Sequence, residues 1–276
     1  MVLKEQGKMQ ESLKCYDKAL SLDPKNVETW ISIGNLKKAM GDLAGSIETY
    51  RQTIQFKPDE GRVHSFLGLA LLLAGEFDAG WEEYEWRWEI EPLCAAKRHY
   101  SAPRWNGEPL NGKRIFLYGE QGFGDILQFV RYVLLLKEMG ARIFLECYQE
   151  LIPIISRMSA IDAVFVPNHQ IPAFDYHCPL MSLPYIFKTN LNSIPANVPY
   201  LSACPEKTAH WQKKLCTLHF ALCTLKVGII WAGNPSHKKD RERSIPLCQL
   251  APILKTPGVK FFSLQVGGRA KDIQES

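Results

Sequence analysis

The sequence predicts an α plus α/β chain: paired helices repeated in series, then a parallel-sheet domain, then the start of a second parallel-sheet domain. Three observations carry this prediction. Residue types recur every 34 positions as far as Pro92. After Pro103 the helical periodicity gives way to short apolar runs separated by helical segments or loops. A new strand–helix series opens at KVGIIWAG, 226–233. The expected divisions are 1–100, 101–205 and 206–276.

The repeat is read first. Pro24, Pro58 and Pro92 are 34 apart, as are Gly7, Gly41 and Gly75, and Tyr16, Tyr50 and Tyr84. Gly34 and Gly68 keep the same step, as do Leu20, Ile54 and Trp88. Trp30, Ile33 and Gly34 lie on one face of a first helix, where the glycine admits a close second helix. Gly41 breaks the chain between the two. Ile47, Tyr50 and Ile54 supply the inward face of the second helix, and the proline ends the unit. This pattern resembles the tetratricopeptide repeat, a pair of antiparallel helices. It is full over 26–58 and 59–92, while 1–24 holds the second half of a unit, from which an earlier natural start is expected. Two readings are open: a groove for a protein or peptide partner, or a cap on the next domain. In WEEYEWRWEIEP, 81–92, Trp81, Tyr84 and Trp88 share one helical face and Trp86 points elsewhere. Aromatics on more than one face predict a helix packed on both sides, at a junction.

Buried strands are predicted at 114–120, 142–148, 163–167 and 174–180, giving a parallel sheet with helices on both faces. A helical link is predicted over 202–215, then a strand at 226–233, a helix at 244–256 and a strand at 259–267. Two strands do not complete a doubly wound domain, so this second domain is expected to be truncated.

Ligands of open parallel sheets bind beyond the strands' carboxyl ends, where GEQGFGDILQF, 119–129, sits. Gly122 and Gly124 fit the first two glycines of a dinucleotide loop, but Leu127 holds the third place, which serves close helix packing. Glu146 ends the second strand, where the ribose-binding acid of that fingerprint would stand. No Gly-Lys-Ser/Thr follows, which excludes a P-loop. Asp125 is either a helix cap, complementing the dipole, or a carboxylate presented as a general base.

The stretch GEQGFGDILQFVRYVLLLKEMGARIFLEC resembles the first strand–turn–helix of heptosyltransferase-like glycosyltransferases. The whole chain is similar to bacterial proteins that join tetratricopeptide repeats to such a domain. The layout is also similar to that of protein O-linked N-acetylglucosamine transferases, without a residue-level match in the catalytic part. The resemblance implies two Rossmann-like domains facing a cleft, the GT-B arrangement. It also implies Asp125 as the base toward an acceptor hydroxyl, with Gly122 and Gly124 shaping the turn. On the donor side, the family's basic residue for the diphosphate falls nearest Arg243, where this chain has arginine in place of lysine.

The loop WAGNPSHKKDRERSIPL, 231–247, carries Lys238, Lys239, Arg241 and Arg243 against Asp240 and Glu242. A basic loop running into a helix start suits phosphate. It reads either as a donor-phosphate site, with Asn234, Lys239, Arg241, Arg243 and Ser244, or as a solvated charged loop with Ser244 as a cap. His177 and Ser182, near the end of the fourth strand, are candidate acceptor contacts, the alternative for His177 being a buried or surface histidine without a catalytic task.

The function expected is transfer of a sugar from a nucleotide-sugar donor to an acceptor hydroxyl. The donor is a co-substrate, and no cofactor is called for. No Asp-x-Asp motif occurs, so the basic loop is expected to stand in for a metal. The alternative is a non-catalytic scaffold with a degenerate transferase fold, and this fragment by itself is expected to be inactive. A net charge of +4, with acids and bases interspersed, argues against nucleic acid. No apolar run nears the ~18 residues that span a bilayer, and the first residues lack a signal peptide's apolar core. The eight cysteines form no C-x-x-C pair, and several lie in apolar stretches. A reduced, cytoplasmic protein is expected, with a secreted, disulfide-bearing domain as the alternative.

Overall fold

The computed structural model describes residues 6–93, 98, 100–216, 225–236 and 240–274. It divides into two compact units, the first ending at Cys204 and the second beginning at Pro205.

The first unit opens with five helices: α1 (Met9–Leu22), α2 (Val27–Ala39), α3 (Leu43–Phe56), α4 (Gly61–Ala74) and α5 (Phe77–Tyr84). Their starts follow the sequence: Asn26 accepts from the Thr29 amide at 3.0 Å and Asp42 from the Gly45 amide at 2.9 Å, satisfying donors that a helix start leaves open. Gly41 and Gly75 turn between paired helices at φ +86° and +85°, a backbone that L side chains rarely adopt. At Gly34 an added Cβ would lie 2.4 Å from the Tyr50 ring. The glycine therefore admits α3, as the spacing predicts, and the Ser46 hydroxyl crosses to the Gly34 carbonyl at 2.8 Å. Ile31, Ile47, Tyr50, Val63 and Leu67 form the core of this layer.

The helical repeat then tightens into a 3₁₀ turn, Glu85–Glu89. That change of twist corrects the expected shared face of Trp81, Tyr84 and Trp88. Trp81 and Tyr84 pack against the core on one side of the sheet, whereas Trp88 packs on the other. Trp86 stacks on His64 with ring centroids 4.0 Å apart. The aromatic stretch is thus a junction packed on several sides, and no compact-unit boundary separates the repeats from the sheet.

The sheet has β1 (Arg114–Tyr118), α6 (Phe123–Phe129), α7 (Val133–Glu138), β2 (Arg142–Glu146), α8 (Ile152–Ile155), β3 (Ala163–Phe165), β4 (Tyr176–Pro179) and α9 (Leu183–Ile186). Its strands are parallel, in the order β3-β2-β1-β4. Side chains alternate across β1. Ile115 and Leu117 face a core with Ile126, Val133 and Leu136, while Phe116 and Tyr118 face Trp88, Tyr100, Ile171 and Phe174. Helices were expected on both faces. On the second face the described cover is this aromatic layer from the repeat junction and loops.

The second unit holds α10 (Pro205–Cys216), β5 (Leu225–Ile229), α11 (Asp240–Arg243), α12 (Ala251–Leu254) and β6 (Val259–Ser263). β5 and β6 pair in parallel. The predicted helix 244–256 is split into a 3₁₀ turn, Leu247–Leu250, and α12. Trp231, Ala232 and Leu247 form its small core. No helix among the described residues is long and apolar enough to cross a membrane.

Candidate active site at the end of the first strand

β1 is flanked by β2, reached by a crossover through α6 and α7, and by β4 on its other side. The order therefore changes direction at the β1–β4 boundary, where a crevice opens in sheets of this kind. The turn 119–122 leaves β1 there and α6 begins.

Gly122 is the N-cap of α6 and Asp125 is the third helical residue. The Asp125 carboxylate reaches back and accepts from the Gly122 amide at 2.9 Å. This places the cap role at the third residue of the helix's first turn, not at its first residue. The carboxylate is half-buried, and one amide leaves lone pairs for a second donor. Neither Gly122 nor Gly124 has a positive φ, and a Cβ on Gly124 would meet open space. The residue that must be small is Gly119, where a Cβ would lie 2.5 Å from the Ile126 side chain. Gly119 thus lets α6 settle on the strand end, a requirement that the G-x-G spacing does not reveal. Leu127, at the third fingerprint position, packs against the core. Beside the turn, the Phe123 and Tyr148 rings meet at a tilt with centroids 4.9 Å apart, and the Tyr148 hydroxyl donates to the Gln121 carbonyl at 2.9 Å.

The β4 side of the crevice is filled from the repeats. Arg87 is 2 % exposed and forks onto Glu120 at 2.8 and 2.9 Å. It also donates to Glu85 at 2.6 Å and to the Ser182 hydroxyl at 2.7 Å. Ser182 in turn donates to Glu85 at 3.1 Å, and Arg104 pairs with the same carboxylate. Burial opposes the charge of Arg87, but Glu120 and Glu85 outweigh it and hold the guanidinium above its ordinary range. Burial likewise pushes Glu85 up, yet Arg87 and Arg104 leave it below the usual carboxylate range.

Ser182 is therefore fully buried with its hydroxyl engaged on both sides. His177 is buried within β4, with the Tyr118 hydroxyl 3.5 Å from Nδ1 and the Tyr100 ring 4.9 Å away. Burial, then the charge of Arg104, lowers its pKa and favours the neutral ring. The structure brings Ser182 to the strand end beside Asp125's turn, but as part of an internal network. His177 lies in the aromatic layer. Glu146, the candidate ribose acid, is paired by Arg98 at 2.9 and 2.5 Å.

In the second unit, the turn after β5 has its own latch. The Ser244 hydroxyl accepts from the Gly233 amide at 3.0 Å and donates to Asp240 at 2.6 Å. Asn234 accepts from the Ser236 amide at 3.0 Å. Arg243 is exposed, with its Nε packed over Gly233. The helix here is a single turn, Asp240–Arg243, so the dipole available to a phosphate is one turn long. Lys238, Lys239, His237 and the Arg241 side chain lie outside the described residues. Gln265 braces the turn by accepting from the Trp231 and Ala232 amides at 3.1 and 2.9 Å.

Comparison with known proteins decides the first region. Residues 2–41 match the family described as TPR repeat, and residues 27–60 match the one described as tetratricopeptide repeat. Residues 2–60 are tetratricopeptide repeats. Protein FlbA of Caulobacter vibrioides is 24% identical over 328 residues, covering 98% of this chain and 54% of its own length. The chain thus spans about half of that relative. A solved glycosyl transferase family 9 protein from Veillonella parvula aligns at 12% identity and a TM-score of 0.45, over 62% of this chain and 68% of its own. A Thermobaculum terrenum O-GlcNAc transferase mutant aligns at 17% identity and a TM-score of 0.30, over 59% and 38%. The tetratricopeptide repeats and the parallel-sheet domain together form the first compact unit.

Proposed function

We propose that this chain is part of a glycosyltransferase that moves a sugar from a nucleotide-sugar to an acceptor hydroxyl. The observation that supports this reading is the placement of Asp125. A half-buried carboxylate stands at the carboxyl end of the central strand, oriented by a backbone amide. Asp125 takes the proton from the acceptor hydroxyl as its oxygen attacks the sugar's anomeric carbon. The bond to the donor diphosphate breaks, and the charge that develops there is met by Arg241 and Arg243, with Lys239, Asn234 and Ser244 contributing to the phosphate site. No metal takes part; the basic loop carries that role. The repeats grip a protein or peptide that is the acceptor or brings it, and the reaction takes place in the cytoplasm of a bacterium. The full-length protein, incubated with a panel of nucleotide-sugars, is expected to transfer or hydrolyse at least one, and Asp125→Asn to lose that activity. If no nucleotide-sugar is bound or consumed by the wild type, the reading fails.

A second reading, a non-catalytic scaffold on a transferase fold, is favoured by one observation. Arg87 fills the β1–β4 crevice, and Ser182 is consumed inside that network.

A further inference from the structure

Beside Asp125's turn lies a cavity of about 580 Å³, within the size range of ligand pockets. One wall comes from the repeats: Leu72 of α4 and Phe77 and Trp81 of α5. The opposite wall is Leu127 of α6 and Ile194 of the loop after α9. Gly124, next to Asp125, is part of the lining, and its missing side chain leaves open space there. The walls are mostly apolar, with Gln128 and Thr189 among the lining, and the seam is pinned, since the Trp81 indole donates to the Thr189 carbonyl at 2.8 Å. Ile194 is exposed at the rim.

One charge borders this apolar space. Arg131 donates to the Gln128 and Pro195 carbonyls at 2.9 and 3.2 Å and to the Tyr200 hydroxyl at 3.2 Å. It also lies over the Tyr200 ring at 4.7 Å. All these contacts are to neutral groups, so its positive charge is oriented without being neutralised by them. A carboxylate beside an apolar body complements such a pocket.

We infer that this cavity is an anchor site for a polypeptide segment carrying a large apolar side chain next to an acidic residue. The apolar side chain enters between Trp81 and Leu127, and the carboxylate meets Arg131. One wall, Leu72, Phe77 and Trp81, belongs to the repeat helices, whose stacked surfaces suit an extended chain. The segment held there passes Gly124 and so lies alongside Asp125. The inference extends the proposed transfer by naming the acceptor class, and rests on it only for that last step.

The test uses the full chain and ¹⁹F NMR titration of the peptide acetyl-Gly-(4-fluoro-Phe)-Asp-Gly-amide, without nucleotide-sugar. Replacing Asp by Asn in the peptide is expected to weaken binding about fivefold, from loss of a charge-assisted bond. A matching peptide with alanine at the aromatic position, run as competitor, is expected to bind at least about tenfold more weakly. Ile194→Trp, which fills the rim, is expected to weaken binding about tenfold with an unchanged melting temperature. These peptide comparisons on the wild-type protein stand even if Ile194→Trp unfolds. Equal binding of the alanine peptide overturns the inference, as does acetyl-4-fluoro-phenylalanine alone binding as tightly as the peptide. Asp125→Asn is expected to bind like the wild type. Binding without transfer would sink the transferase reading alone, and transfer without binding would sink the anchor site alone.

Discussion

The strands β1 and β4 are neighbours, yet their carboxyl ends are used in opposite ways. The end of β4 is closed: Arg87 enters from the repeats, and two carboxylates and a serine hydroxyl surround it. The end of β1 is open on the α6 side, where the Asp125 carboxylate makes a bond to a backbone amide and Gly124 leaves space. The difference teaches where specificity of fold and capacity for chemistry separate. Buried, fully engaged charges fix how the repeats meet the sheet, while a half-buried carboxylate keeps capacity for a partner.

The sharpest break in the comparison is Asp125→Asn. The amide side chain retains an oxygen that can accept from Gly122, so the fold is expected to hold within about 1 kcal/mol. Transfer, measured with the donor the full-length protein accepts, is expected to fall about 10²- to 10⁴-fold, the usual contribution of a positioned base. A loss of stability matching the loss of activity would make Asp125 a cap alone.

Arg87→Ala attacks the closed end. It leaves Glu120 and Glu85 buried with one less cation, and is expected to cost about 3–5 kcal/mol in denaturant unfolding. Replacing the bidentate pair with apolar residues, Arg87→Met with Glu120→Leu, is expected to recover most of that loss. If Arg87→Ala is neutral, the network does not hold the seam. Ser182→Ala removes one hydroxyl from the same network and is expected to cost about 1–3 kcal/mol. If Ser182→Ala instead abolishes transfer at unchanged stability, the serine serves the substrate after all.

These contrasts explain what the sequence could and could not reveal. The 34-residue step exposes helix pairs because Gly34, Gly41 and Gly75 act through local backbone and one neighbouring helix. The strands are legible because apolar runs bury on both faces. Asp125's turn is legible because cap and strand end are adjacent in sequence. Arg87 is not, since it bonds Glu120, 33 positions away, and Ser182, 95 away. No local pattern encodes such partners. The fate of Trp88 is equally hidden, because the 3₁₀ turn Glu85–Glu89 moves it to the far face of the sheet.

The smallest effect is expected at the opposite, amino end of the same two strands. Asp175, just before β4, accepts from the Arg114 amide at 2.8 Å and from its guanidinium at 3.1 and 3.3 Å. The guanidinium bond first, and the backbone amide next, hold its carboxyl at about 2. A carboxyl depressed in the folded state binds protons less readily than in the unfolded chain. Its stabilisation is therefore complete above the unfolded value of about 3.9 and fades as pH falls toward 2. Asp175→Asn is expected to flatten part of the acid limb of a plot of melting temperature against pH, while leaving transfer untouched. The pair is solvent-screened, so the change in slope is modest. An acid limb identical to wild type would mean that other depressed carboxylates, among them Glu85 at the closed end, Glu60 and Asp162, govern acid unfolding. That outcome would make the Asp175–Arg114 pair a minor contributor to acid stability.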